Sequence, residues 1–258
     1  MKVVFIGCGN VATVLAEKIS GAGHEIVQVL SRNENRAKQL ATKYNAGYGS
    51  FRSTPYAMAD IYIVAISDNA LSHLDQYPSL GKKIVVHTAG SVSKDVLKAL
   101  SSSYGIIYPF QSLSKNSISL PSIPIMIDGN TEEVISFLKS FTETFADNII
   151  VADDDQRLKY HIAAVMVSNF TNHLYALAEE FCSNENIEFK NLLPLISETT
   201  LRMKDQSPKE LQTGPALRED IYTMGKHLQC LTPYPDIKFL YLKISESILK
   251  FHQNEKDS

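Results

Sequence analysis

The chain predicts a doubly wound, mostly parallel α/β sheet followed by an all-α region, and three observations carry that expectation. The opening MKVVFIGCGNVATVLAEKISGAGHEIVQVLSR reads as strand, glycine turn, amphipathic helix and second strand. Short apolar runs then alternate with helical patterns up to residue 152, the rhythm of a parallel sheet built from crossovers. After Asp153-Asp154-Asp155 only helical periodicity remains, so the division falls between residues 1–152 and 153–258.

Val3, Val4, Phe5 and Ile6 form an apolar run of the kind a fully buried parallel strand shows. Gly7, Gly9 and Ala12 then occupy the small-residue positions of G-x-G-x-x-G/A, the dinucleotide turn of a Rossmann domain. One glycine allows the tight turn, the next lets backbone approach a pyrophosphate, and Ala12 lets the helix pack closely on the sheet. Gly7, Gly9, Asn10 and Val11 are therefore expected to cradle the pyrophosphate. The helix presents Val11, Val14, Leu15 and Ile19, and the next strand runs from Glu25 to Leu30. An NAD site places a carboxylate about 20 residues past the glycines, but here the strand runs out into Ser31, Arg32 and Asn33. A guanidinium beside a hydroxyl suits a 2′-phosphate, which selects NADP(H). Glu34 is the residue that would support NAD instead.

A helix over Asn35 to Tyr44 and a third strand at Ala46 to Tyr48 follow. Ile61 to Ile66 is a buried fourth strand whose carboxyl end carries Ser67, Asp68 and Asn69, placed either to border the cofactor or to cap the next helix. The fifth strand, Ile84 to Val86, ends at His87-Thr88-Ala89-Gly90-Ser91. His87 and Ser91 there are candidates to meet cofactor and substrate, with a satisfied structural histidine as the plainer alternative. Gly105 to Tyr108 leads to Pro109-Phe110-Gln111, with Gln111 a further substrate candidate; Ile123 to Ile127 and Asn148 to Val151 flank a helix over Glu132 to Phe145 and complete a sheet of about eight strands.

The second half predicts helices at Leu158 to Cys182, Asn191 to Lys204, Pro215 to Cys230 and Pro235 to His252, with a disordered tail over residues 253–258. In the long first helix, His161, Ser168, Asn169 and Asn172 share a face at α-helical spacing. That face either lines a cleft against the nucleotide domain or pairs internally in a bundle or dimer. Thr213-Gly214-Pro215 followed by Arg218 offers an anion a helix N-terminus and a guanidinium, unless Arg218 and Asp220 form an ion pair.

A formal net charge of -3 and no long basic run leave no field for nucleic acid. No apolar run is long enough to span a membrane and no leader pattern opens the chain, so a cytoplasmic protein is expected. Cys8, Cys182 and Cys230 are odd in number and far apart, which fits thiols rather than a disulfide framework or a metal site.

The set IGCGNVA, HTAGSVS, YPFQSLSK, AAVMVSNFTNHLYALAEE and TGPALREDIYTMGKHL resembles the Rossmann-like family whose C-terminal half is domain of unknown function 2520. That family is similar to pyrroline-5-carboxylate reductase, ketopantoate reductase and the 6-phosphogluconate dehydrogenase superfamily. The resemblance implies an NADP(H) oxidoreductase with polar substrate-binding residues on the long helix, often Lys followed four residues later by Asn. Here Lys159 is followed by Ala163, which leaves His161, Ser168, Asn169 and Asn172 to orient and protonate the substrate. The expected activity is hydride transfer to a C=O or C=N group of a small, carboxylate-bearing metabolite in the interdomain cleft. Arg218 is placed to hold the carboxylate, in a homodimer formed by the helical halves. A non-catalytic NADP(H)-binding sensor is the alternative.

Overall fold

The computed structural model describes residues 1–74, 77–113 and 123–253. Ser114 and Lys115 of the YPFQSLSK motif, and the tail from residue 254, lie outside the described residues. The chain divides into two compact units, Met1–Phe170 and Thr171–Ser258.

The first unit is built on an eight-stranded sheet in the order β3-β2-β1-β4-β5-β6-β7-β8. Its strands are β1 (Lys2–Ile6), β2 (Glu25–Leu30), β3 (Gly47–Gly49), β4 (Ile61–Val64), β5 (Gly81–His87), β6 (Ser101–Pro109), β7 (Ile125–Gly129) and β8 (Ile149–Val151). Neighbours run parallel except β6 and β7. Side chains of successive residues leave opposite faces of a strand, so β1 and β4 feed two cores at once. Val3, Phe5, Ile61 and Ile63 belong to one apolar cluster; Val4, Ile6, Tyr62 and Val64 belong to the other. A sheet covered on both faces requires the continuous apolar runs that the sequence shows at these two strands.

Helix α1 (Asn10–Gly21) packs Ala12, Val14, Leu15, Ala16 and Ile19 into the first cluster. Helix α2 (Glu34–Thr42) starts where the Asn33 side chain accepts from the Arg36 N–H, and α3 (Asp68–Leu71) follows β4. Helix α4 (Glu132–Thr142) is capped by Thr131, whose hydroxyl accepts from the Val134 N–H. Helix α5 (Asp154–Ala164) begins with a reciprocal capping box between Asp153 and Gln156.

The helix expected as one element over Leu158 to Cys182 is in three segments: α5, a π-helical stretch Val165–Phe170, and α6 (Thr171–Asn184). A wider turn in the middle breaks the 3.6-residue register on which the shared face of His161, Ser168, Asn169 and Asn172 was argued. Asn172 also belongs to the second compact unit, the other three to the first.

The second unit contains α6, α7 (Leu193–Arg202), α8 (Ile221–Cys230) and α9 (Pro235–Gln253). Helix α8 begins six residues later than the glycine-proline pair suggested. Turns through Pro215 to Glu219 carry the backbone bonds Glu219 N–H to Ala216 C=O and Asp220 N–H to Pro215 C=O. Asp220 supplies the cap, accepting from the Thr223 N–H at 3.0 Å.

Candidate active site

The functional edge lies beyond the carboxyl ends of β1, β2, β4, β5 and β6, where ligands sit in open parallel sheets. At the end of β1 the chain turns at Gly7 with φ of 120°. A Cβ at Gly7 would come within 2.0 Å of the Ala65 carbonyl oxygen, so no other residue fits the turn. Gly9 then caps α1 without any side-chain bond to the first-turn N–H groups. Nothing lies within 4 Å of where its Cβ would stand. Open backbone and the unsatisfied first-turn donors of a 12-residue helix fit a pyrophosphate. Of the other two residues expected in this cradle, Val11 packs part-buried on the core, and the Asn10 amide donates to the Leu113 carbonyl at 3.2 Å.

Beside this turn is a cavity of about 860 Å³ walled by Arg32, Ser50, Arg52, Ser67, Asn69, His73 and Tyr77, among others. Two guanidiniums, those of Arg32 and Arg52, thus line one cavity and give it positive charge. Arg52 and Ser50 are residues that sequence reasoning missed. They follow β3, and only the pairing of β3 with β2 brings them to Arg32. Glu34 sits instead in the first turn of α2, beyond the Asn33 cap.

Two expected cofactor residues are corrected. Ser31 is buried below the wall, and its hydroxyl accepts from the Cys8 thiol at 3.1 Å and from the Asn33 N–H at 3.3 Å. It shapes the turn out of β2. His87 has no exposed surface. The Ala89 N–H donates to its Nδ1 at 3.1 Å, which leaves Nε2–H to donate to the Ser93 carbonyl at 3.2 Å. Burial, with the Arg157 charge adding to it, pushes the imidazole down to about 4. A neutral ring with both nitrogens committed neither touches substrate nor shuttles protons at neutral pH.

The loop after β5 is held by charges from α3 and α5. The Ser91 hydroxyl donates to Asp68 at 2.7 Å, so these two expected ligands bond each other and join α3 to the loop. Arg157, only 1% exposed, donates through Nε to the Gly90 carbonyl and through Nη2 to the Val92 carbonyl and to Asp154. Asp154 also accepts from the Ser93 hydroxyl and the Lys94 N–H. Burial opposes ionisation of Asp154, but the bonds from Ser93, Arg157 and Lys94 prevail and hold its carboxyl below the usual range. Nothing in the sequence marks Arg157 as the key of this loop, because its partners within the loop, Gly90 and Val92, are more than 60 residues away.

Tyr108, at the end of β6, meets His161 of α5: the phenol oxygen and Nδ1 are 3.0 Å apart. Of the expected catalytic set, His161 is thus placed at the sheet edge. Ser168 and Asn169 lie in the π-helical stretch, Ser168 half-buried and Asn169 exposed. Asn172 is exposed on α6, and Arg218 is exposed on the turn before α8, where its positive charge acts on Asp220. Gln111 is exposed just past β6. The anion site proposed at Pro215 is corrected, since the N-terminus of α8 is served by the Asp220 carboxylate.

Comparison with known proteins agrees with this geometry. A family described as NADP oxidoreductase, coenzyme F420-dependent, matches residues 2–91, and the family described as domain of unknown function 2520 matches residues 123–248. A reductive aminase from Aspergillus terreus, solved with NADPH and ethyl-5-oxohexanoate, superposes with a TM-score of 0.72 at 15% identity, over 97% of this chain and 94% of that one. The 1-pyrroline-5-carboxylate reductase of Streptococcus pyogenes gives 0.62 at 14% identity, over 97% and 98%. At such identities these two share the fold. No curated protein matches the chain. A protein of Bacteroides fragilis assigned to the NADP oxidoreductases is 39% identical, over 96% of this chain and 98% of that one, with a TM-score of 0.88. On that likeness, with the glycine turn and the arginine-walled cavity, the chain belongs to this family of NADP oxidoreductases joined to domain of unknown function 2520.

Proposed function

We propose that the protein uses NADPH to reduce the C=O or C=N group of a small, carboxylate-bearing metabolite, and that it does so as a homodimer. The observation that carries this reading is the presence of both Arg32 and Arg52 in the lining of one cavity, together with the open glycine turn. The first-turn N–H groups of α1 would hold the pyrophosphate, and Arg32, Arg52 and Ser50 the 2′-phosphate. Bound NADPH supplies hydride. The carboxyl edges of β5 and β6 supply the surroundings of the reacting group, with the Arg157 network fixing the Gly90 loop against α5. A carboxylate-bearing imine is what the name of the Streptococcus relative denotes, and the exposed guanidinium of Arg218 has the chemistry to bind a carboxylate. Exposed apolar residues of the helical unit, such as Ile221, Tyr222 and Phe239, support a second copy as partner.

Calorimetry tests the cofactor reading without a substrate. NADPH is expected to bind more tightly than NADH, and Arg52→Ala should cost NADPH roughly tenfold to a hundredfold while leaving NADH nearly unchanged. Arg32→Glu should invert or abolish the preference, because it faces the 2′-phosphate with a like charge. Equal affinity of the wild type for the two nucleotides overturns the assignment.

A further inference from the structure

The contact between Tyr108 and His161 is unexplained by cofactor binding. Gly90 makes it possible: a Cβ there would stand 2.7 Å from His161 Nδ1 and 2.8 Å from Tyr108 Cζ. Three chain segments thus converge, the loop after β5, the end of β6 and α5, and the loop is held by buried Arg157 through the Gly90 carbonyl. The pair is also linked to the cofactor edge. Ser91, beside Gly90, bonds Asp68, whose neighbours Ser67 and Asn69 line the nucleotide cavity.

The phenol is half-buried, and Phe110 packs edge-on against its ring at 6.2 Å. Burial raises the Tyr108 hydroxyl above its ordinary value; Arg157 opposes that rise and Asp68 adds to it. Tyr108 is therefore protonated at neutral pH. Asp68 of α3, Arg157 of α5 and His161 itself are the charged or titratable groups acting on it. A protonated phenol bonded to an imidazole is an acid with a built-in means of being recharged.

We propose that Tyr108 and His161 form a proton-supply pair for reduction of an uncharged carbonyl, Tyr108 protonating the substrate oxygen and His161 reprotonating Tyr108 through Nδ1. This deepens the NADPH-dependent reductase reading and rests on it. The carbonyl carbon gains the hydride from NADPH, which becomes NADP+, and the C=O π pair moves onto oxygen. That oxygen bonds the phenolic proton as the Tyr108 O–H bond breaks. The phenolate then takes the Nδ1 proton of the imidazolium, leaving neutral imidazole. An iminium ion, already charged, needs no proton in this step, whereas an uncharged carbonyl does, and the pair fits a ketone or aldehyde as substrate. Tyr108 is the catalytic residue here and His161 a positioning residue.

The substrate-free test is NMR titration of ring-labelled histidine and tyrosine in the full chain with NADP+ bound. Across pH 5 to 9, Tyr108→Phe is expected to shift the His161 ring signals, and His161→Asn the Tyr108 ring signals. Ring signals that neither variant moves overturn the proposal. A kinetic test follows with NADPH and a panel of 2-oxo acids, aldehydes and cyclic imines. Tyr108→Phe should slow carbonyl reduction roughly a hundredfold to ten-thousandfold in kcat, with NADPH affinity unchanged. His161→Asn should lower kcat for carbonyls while leaving KM and NADPH affinity nearly unchanged, because it removes the donor that recharges Tyr108. A wild type that binds NADPH and reduces imines but no carbonyl overturns the pair and spares the reductase reading. Failure to bind NADPH removes that reading itself.

Discussion

In the sheet unit Val3, Phe5, Ile61, Ile63 and Phe141 have no exposed surface, whereas in the helical unit Leu195, Ile221, Tyr222, Phe239 and Phe251 stand largely in the open. Among the described residues of the helical unit, Cys182, Ala216, Leu231 and Ser245 are the buried ones. A sheet can cover both faces with helices from its own crossovers, and each strand then buries successive residues on alternate sides. Helices of 10 to 19 residues without a sheet bury only a stripe each, and leave the rest to a further layer. The difference teaches that the sheet core is closed by its own helices, whereas exposed apolar side chains gather in the helical unit and in the stretch that leads to it, from Leu158 to Phe170.

The largest effect should come from attacking that apolar surface. With a homodimer through the helical halves, light scattering should return twice the chain mass of 28.7 kDa at micromolar concentration. Phe239→Asp combined with Phe251→Asp places two charges on the apolar surface, and the double variant should scatter as a monomer. A wild type that is already monomeric ends the comparison in this form.

Arg157 tests the opposite claim, that the sheet unit is held from within. Replacing it by Met leaves the Gly90 and Val92 carbonyls and Asp154 without their donor, a loss of about 3 kcal/mol in denaturant unfolding. Arg157→Lys should recover little, because an ammonium lacks the fork that reaches three oxygens. Unchanged stability in Arg157→Met would show that the loop after β5 stands without α5.

These elements also show what a sequence can reveal. The glycine turn is legible because its apolar strand, glycines and helix are consecutive, and each is demanded by local geometry such as the positive φ of Gly7. Arg52, Tyr108 and Arg157 are not, since sheet order and loop closure bring their partners across the fold. His87 was visible as a strand-end histidine, but its committed nitrogens depend on how the loop to Ser93 folds back. The π-helical stretch escaped because its residues are as apolar as an α-helix would need, and periodicity alone assigns them 3.6 per turn. The start of α8 escaped because Gly214-Pro215 has the form of a helix opening, whereas the capping carboxylate belongs to Asp220.

Acid should weaken the sheet unit through His87. Its folded value, about 4, lies below the ordinary 6.5, so the unfolded chain binds the proton more readily between those limits. The stabilisation from keeping it neutral is complete above pH 6.5 and is lost as pH falls toward 4, by about 2 kcal/mol at pH 5. His24 is also held low by burial and by the N-terminal charge, and acts with the same sign. Denaturant curves at pH 7.5 and pH 5 should therefore converge for wild type and His87→Gln as the acid is added. A constant gap between the two proteins would show that His87 is not kept neutral by the fold.

The smallest effect belongs to Lys159, two residues from Arg157 on the same helix. Its ammonium bonds Asp155 at 2.6 Å, with both side chains more than 70% exposed. Water screens such a pair, and holding two long side chains in one geometry costs entropy that offsets the attraction. Lys159→Ala should leave the denaturant midpoint nearly where it is and become indistinguishable from wild type in high salt. It should leave NADPH affinity unchanged as well, since the cavity that holds Arg32 and Arg52 is lined by the segments that follow β2, β3 and β4. Arg157 and Lys159 carry the same charge, so the contrast between their variants isolates burial. If Lys159→Ala were as costly as Arg157→Met, the exposed turn of α5 would be carrying load that its geometry does not show, and the division between an inward-held edge and a solvated helix surface would fail.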